Sequence, residues 1–373
     1  MIYLDNAATT APSKTALEKA KIYNDEQFFN PSTLYAGGLN CAREIRNAKD
    51  IILKSLGAIN HEVIFTSCGS ESDNMAIFCS VKRGMFITDK GEHSAVHKCF
   101  LELKNRGIKV DFANLNKDGS VNIEHLLSLV KEQNADFVSI VHVNNETGAI
   151  NDVNDLAKKI KALNKKTIVH VDGIQAFGKI PYRISQDVDL YSISAHKINA
   201  LKGVGALIRK KSVNLTPLIF GGGQEGGLRS GTENVFGIKV FEAAATEKYQ
   251  NLLENFERTK NLKQIFLDNL NKDLFTIISG ENSSPYILTV SATGLRGEVV
   301  MHALEQKGII IGNGSACSSK NRFSRVIEAC GYRNDVLDGV IRISFSTYTT
   351  EQECLIAVKE INQTVEKLKG ILN

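Results

Sequence analysis

A chain of 373 residues exceeds one small module, and at ~150 residues per domain it predicts two or three. Its 43% hydrophobic and 23% charged residues, with 5 prolines and 29 glycines, exclude disordered, fibrous and low-complexity classes. The 45 Lys+Arg against 41 Asp+Glu leave +4, and the one basic run, Lys158 to Lys166, is too small for a nucleic-acid footprint. No apolar run reaches the roughly 18 residues of a membrane span. The opening Met1-Ile2-Tyr3-Leu4-Asp5-Asn6 lacks a basic start followed by an apolar segment, so a cytoplasmic protein is expected. The 7 cysteines, at 41, 68, 79, 99, 317, 330 and 354, include no Cys-x-x-Cys pair. An odd and scattered set predicts neither a disulfide framework nor a zinc site, and no metal is expected.

From about Glu62, short β-rich runs alternate with amphipathic stretches. Strands are predicted over Val63 to Ser67, Met85 to Thr88, Lys109 to Phe112, Phe137 to Val143, Ile168 to Val171, Leu190 to Ser194 and Ala206 to Arg209. Helices are predicted over Ser94 to Asn105, Ile123 to Lys131 and Asp152 to Leu163. Continuous apolar strands separated by helices imply an α/β fold with a large, mostly parallel sheet covered on both faces. Its ligand crevice belongs at the carboxyl ends of the strands. After Asn234 one long helix is predicted, Val235 to Leu270, with only Gly237 as an interruption. Strands Phe275 to Ile278, Ile287 to Ser291, Ile309 to Ile311 and Val340 to Phe345 follow, with helices Glu298 to Gln306 and from Thr350 onward. That mixed order predicts a second, smaller α+β domain.

Asp172 stands where a buried strand ends, and a buried carboxylate is costly without a partner. The next strand runs into Ser194-Ala195-His196-Lys197, so Lys197 follows 25 residues later. Neighbouring parallel strands bring both side chains to one crevice. A lysine and an aspartate so delivered suit pyridoxal 5'-phosphate: the amine forms a Schiff base and the carboxylate keeps the pyridine nitrogen protonated. Thr66-Ser67-Cys68-Gly69-Ser70-Glu71-Ser72 follows a strand and opens a helix, which offers backbone N–H groups to a phosphate.

With those residues assembled, the sequence resembles the pyridoxal-phosphate cysteine desulfurases of the iron–sulfur-cluster and nitrogen-fixation type, over nearly its whole length. The resemblance rests on Tyr3-Leu4-Asp5-Asn6-Ala7-Ala8-Thr9-Thr10, Asn30-Pro31-Ser32, Glu92-His93-Ser94-Ala95-Val96, His142-Val143-Asn144-Asn145-Glu146 and Gly312-Asn313-Gly314-Ser315-Ala316-Cys317-Ser318-Ser319. It implies a fold-type I, aspartate aminotransferase-like transferase. The large cofactor domain would span 12–250, and 1–11 with 251–373 would form the small domain. It further implies that His93 stacks on the cofactor ring and Asn145 reaches the ring hydroxyl. Asp172 would pair the ring nitrogen, Gln175 touch the ring oxygen, and Lys197 form the covalent link. Gly69, Ser70, Ser194 and His196 correspond to phosphate contacts. Leu228-Arg229-Ser230-Gly231-Thr232 resembles the segment by which one subunit lends Thr232 to its neighbour's phosphate, which implies a homodimer. Arg342, with Asn145, would bind the substrate carboxylate, a task that suits a guanidinium fork.

Cys317, in a glycine- and serine-rich loop that gives a thiolate access, would be the persulfide-forming residue. The implied reaction takes sulfur from L-cysteine, yields L-alanine, and passes the sulfur to an acceptor protein, an iron–sulfur scaffold or a tRNA-thiolating enzyme. A selenocysteine lyase or another fold-type I enzyme is the nearest alternative; Cys317 argues against an aminotransferase. A non-catalytic sulfur carrier is a further one, motivated by Asn199-Ala200-Leu201, which replaces the family's usual Gly-Pro beside the lysine. Cys68 stands where that family has a glycine, which predicts that position 68 needs no positive φ.

Overall fold

The computed structural model describes residues 1–313 and 322–372. Its strands in chain order are β1 (Ile2–Leu4), β2 (His61–Thr66), β3 (Met85–Asp89), β4 (Lys109–Ala113), β5 (Phe137–Val141), β6 (Ile168–Asp172), β7 (Leu190–Ser194), β8 (Gly205–Lys210), β9 (Thr276–Ile277), β10 (Ile287–Ser291), β11 (Ile309–Asn313) and β12 (Val340–Ser344). Among the described residues, seven form one sheet in the order β2-β8-β7-β6-β5-β3-β4, and five form a second in the order β1-β11-β12-β10-β9.

In the first sheet only β8 runs against its neighbours, β7 and β2; the remaining pairs are parallel. Successive residues of a strand feed opposite faces, and both faces are apolar. Phe86 and Phe137 enter one core cluster while the adjoining Ile87 and Val138 enter the other. The covering helices are started by side-chain caps that the sequence supplies. His93 Nδ1 accepts from Ala95 N before helix Ser94–Asn105, Asn122 accepts from His125 N before Ile123–Gln133, and Asp152 accepts from Asp155 N before Val153–Leu163.

The single helix expected over Val235 to Leu270 is two, Val235–Gln250 and Leu252–Asn269. Gly237 does not interrupt it. The break falls at Asn251, whose φ of −120° and ψ of 24° leave the helical region. Asparagine is a weak helix former, and the second helix starts after it without a side-chain capping bond. The second helix and the last, Glu351–Leu372, pack the second sheet through Phe266, Cys354 and Ile361 against Leu288, Ile341 and Ile343.

The chain begins in the second sheet, where Ile2, Tyr3 and Leu4 pair in parallel with Ile309, Ile310 and Ile311. Residues 5–13 then form a strap that leaves this sheet at the Asp5–Ser344 bridge. It reaches the end of β7, where Thr10 N donates to His196 O at 3.1 Å.

Candidate active site

A cavity of about 420 Å³ opens at the carboxyl ends of the parallel strands, between the two sheets. Gly69, Ser70, His93, Asn145, Asp172 and Gln175 line it, as do Ser194, His196, Lys197 and Arg342. Thr232 does not. It is exposed, and it borders a separate small cavity with Glu225 and Arg229. Cys317 lies outside the described residues.

Strand pairing explains how Asp172 and Lys197 meet. β6 and β7 are parallel neighbours with Asp172 opposite Ser192, and the chain leaves β7 directly through the turn Ala195–Lys197. Lys197 Nζ donates to the strap carbonyls of Ala7 at 2.6 Å and Ala8 at 2.9 Å. Asp172 Oδ1 accepts from Ile174 N at 2.9 Å. Burial pushes the Asp172 carboxyl up to about 6, against a lowering by that backbone N–H and by the Lys197 charge.

Burial, then the charges of Lys197 and Arg325, bring His93 down to about 4. Because Nδ1 accepts from Ala95 N at 3.2 Å, the neutral ring carries its proton on Nε2. His196 is likewise brought down to about 4 by burial and neighbouring lysines. Gln175 is held at both ends of its amide: Nε2 donates to Ala7 O at 2.8 Å, and Oε1 accepts from the buried Lys179 Nζ at 2.7 Å. Lysine only donates, so Oε1 must face Lys179.

On the opposite wall, Arg342 reaches out of β12. Its Nη2 pairs with Asp5 at 2.8 Å and its Nη1 donates to Asn145 O at 2.8 Å. Its Nε is buried with no partner among the described residues. The guanidinium lies over Gly312, where a Cβ would stand 2.6 Å from Asp5 Oδ1 and 3.0 Å from Arg342 Nη2. Only glycine lets the ion pair pass.

Three observations test whether pyridoxal phosphate fits these residues. Helix Gly69–Ser80 starts at the cavity with open N–H groups, and a Cβ on Gly69 would stand 2.3 Å from Ile174 Cδ1, so backbone is kept at close range. Ser194 Oγ is buried with no partner among the described residues, a hydroxyl awaiting an acceptor. The buried Asp172 carboxyl needs a cation to ionise fully, and a protonated pyridine nitrogen is one. The residues fit the group. Cys68, φ −170°, is extended, as expected of a position that needs no glycine.

Sequence reasoning missed the strap carbonyls, Asp5, Lys179 and Gly312. Backbone acceptors carry no side-chain signal. Asp5 stood in a recognised motif, but its partner lies 337 residues away.

Residues 2–355 match the aminotransferase class-V family. The chain is 33% identical over 384 residues to a cysteine desulfurase of Nostoc sp., covering 100% of this chain and 94% of that relative. It is 34% identical to the cysteine desulfurase IscS of Dictyoglomus turgidum, covering 99% and 96%. A solved NifS-like protein superposes with a TM-score of 0.91 at 34% identity, covering 98% of this chain and 99% of that one.

Proposed function

The chain belongs to the class-V aminotransferase family, and on that premise we propose that it is a pyridoxal-phosphate-dependent cysteine desulfurase converting L-cysteine to L-alanine. One observation carries the reading: a single cavity gathers Lys197, Asp172, Arg342 and the Ser194 hydroxyl, which has no partner among the described residues. When bound, pyridoxal phosphate supplies an electron sink for the pair left on the substrate Cα. Gly69, Ser70, Ser194 and His196 would hold its phosphate, Asp172 its ring nitrogen, and Asn145 and Gln175 the oxygen edge of its ring. His93 would lie against the ring.

Arg342 binds the substrate carboxylate while Asp5 and Asn145 O fix its orientation. Lys197 Nζ takes the Cα proton. His93, neutral at physiological pH, presents a donating Nε2–H. The Cys317 thiolate then attacks the substrate sulfur, and the Cβ–S bond breaks with its electron pair left on the carbon side. The sulfur stays on Cys317 as a persulfide, and protonation of the three-carbon remainder at Cβ and Cα gives L-alanine. Purified protein supplied with pyridoxal phosphate and cysteine should release alanine and acquire one extra sulfur on Cys317 by mass spectrometry. Alanine without that sulfur would remove Cys317 from the scheme; no alanine would end the reading.

The same reading divides the chain into a cofactor domain, 12–250, and a small domain, 1–11 with 251–373. It makes the enzyme a homodimer in which Thr232, away from its own cavity, serves the neighbour's phosphate. Light scattering tests the dimer, and Thr232→Ala should weaken pyridoxal phosphate retention. The persulfide would pass to an acceptor protein, a cluster scaffold or a tRNA-thiolating enzyme. A reducing cytoplasm suits the buried free thiols Cys41, Cys79, Cys99, Cys330 and Cys354, of which burial pushes Cys99, Cys330 and Cys354 up to about 12.

A further inference from the structure

The turn after Lys197 departs from the family pattern at Asn199-Ala200-Leu201, and the structure shows what the departure builds. Asn199 is buried, 3% exposed, with φ at +66°. Asparagine enters that left-handed region more readily than other side chains because its short amide bonds locally. From there it makes three hydrogen bonds to one neighbour, the strap. Its N–H donates to Thr10 Oγ1 at 2.8 Å and its Nδ2 donates to Ala11 O at 2.7 Å. Its carbonyl accepts from Ser13 N at 2.7 Å. Thr10 closes the latch, with Oγ1 donating to His196 O at 2.8 Å. The strap so held is the segment whose Ala7 and Ala8 carbonyls accept from Lys197 Nζ at 2.6 and 2.9 Å.

Ala200, 1% exposed, sits in the main core cluster with Ile198, so the turn is packed as well as bonded. The family's Gly-Pro falls at 200 and 201, one residue later, so the side-chain amide bonded to the strap is Asn199's own.

We propose that Asn199 is a positioning residue: by locking the strap it places the two carbonyls that hold Lys197 Nζ, and so sets where that amine stands when it meets the cofactor. The inference rests on the reading of Lys197 as the cofactor-linking lysine. Capture itself is a condensation in which Nζ joins the cofactor aldehyde and one water leaves.

The test uses full-length apo-protein of the wild type, Asn199→Gly, Asn199→Ala and Thr10→Val. Pyridoxal phosphate is added, samples are reduced with borohydride at intervals, and the stable mass on Lys197 is followed; hydrogen exchange over residues 6–13 is read in parallel. Wild type must label Lys197. Label elsewhere would sink the reading of Lys197 and leave the latch unblamed. Asn199→Gly keeps both backbone bonds and the positive φ, so capture should slow only about threefold. Asn199→Ala loses the same amide and adds backbone strain, and Thr10→Val cuts the latch from the strap side; each should slow capture about tenfold or more and speed strap exchange. If either variant is too unstable, the other carries the test. Wild-type capture rates in Asn199→Ala and Thr10→Val, even with lowered melting temperatures, would overturn the inference. So would slower capture without faster strap exchange.

Discussion

The two walls of the cavity handle charge in opposite ways. Behind Asp172 the first sheet carries a chain of buried polar groups across β5, β6 and β7. Ser139 Oγ donates to Glu92 Oε1 at 2.7 Å and meets His170 Nδ1 at 2.9 Å, while His170 Nε2 meets Ser192 Oγ at 3.0 Å. Burial is the main force here. It pushes Asp73 and Glu92 well above the usual carboxylate range and brings His170 down to about 3. This wall favours neutral forms until a ligand brings charge to it. The second sheet does the reverse. Among the described residues its cation at the cavity, Arg342, is built in with its counter-charge, Asp5, and the strands around it bury apolar residues and neutral hydroxyls, such as Leu288, Ile341, Thr289 and Ser344. The difference supports the proposed roles, a first wall that would take up a charged cofactor and a second that would hold a fixed charge for a substrate anion.

The strongest way to break this comparison is to remove the group both walls serve. Lys197→Ala should lower alanine release by more than ~10³-fold while the melting temperature stays within about 3 °C of wild type. A mutant that still released alanine at close to the wild-type rate would contradict it. Next comes the first wall. Asp172→Asn cannot answer a positive ring nitrogen, so alanine release should fall ~10²-fold and pyridoxal phosphate should dialyse away faster. Unchanged retention would show that the buried carboxyl does not face a charged group.

The second wall should respond differently. Gly312→Ala drives a Cβ to 2.6 Å from Asp5 Oδ1 and so displaces the ion pair. The expected result is a KM for cysteine raised about tenfold with kcat changed less than about threefold, the signature of lost ground-state binding. Equal losses in kcat and kcat/KM would place Arg342 in the chemistry instead.

The smallest effect concerns pH. His142, buried and bonded to Tyr191 OH at 2.9 Å, is brought down to about 3 by burial. Its folded value lies below the unfolded one, near 6.5. The unfolded chain therefore binds the proton first, and the stability that neutral His142 lends is lost as pH falls below about 6.5. The melting-temperature advantage of wild type over His142→Asn should shrink between pH 7 and pH 5. Buried acids such as Asp172 act in the opposite sense, so the difference between the two proteins is the quantity to follow, not either melting curve alone.

Much of this was legible in the sequence where local chemistry decides. Leu190–Ser194 is an apolar run and Ser94–Asn105 a 3.6-residue pattern behind a capping histidine, and both stand with the bounds expected. Asp172 and Lys197 could be paired because each ends a strand of one parallel sheet. Asn251 could not be read as a break, because nothing but its own weak propensity marks it. Lys179 carries no motif that marks it, and the packed structure shows it buried on Gln175. The strap was harder still, since its role is played by the backbone of two alanines. Asn199 stood out as a departure, but its meaning needed the neighbour it bonds.

The placement of β1 has a consequence for the order in which the molecule is made. Among the described residues its sheet neighbour is β11, and the register joins Ile2 to Ile309. A ribosome therefore releases the first strand long before its partner exists, and loop closure over so many residues comes late and at an entropic cost. Ala7 and Ala8 lie between that strand and the bonds of Thr10, Ala11 and Ser13 to Asn199, so the strap can be held at one end early and at both ends only once the carboxyl-terminal third has folded. The nascent chain can assemble the first sheet, and the Asn199 end of the strap with it, while the other end waits for β11. If Lys197 links the cofactor as proposed, the strap beside its amine is fastened at both ends only in the finished chain.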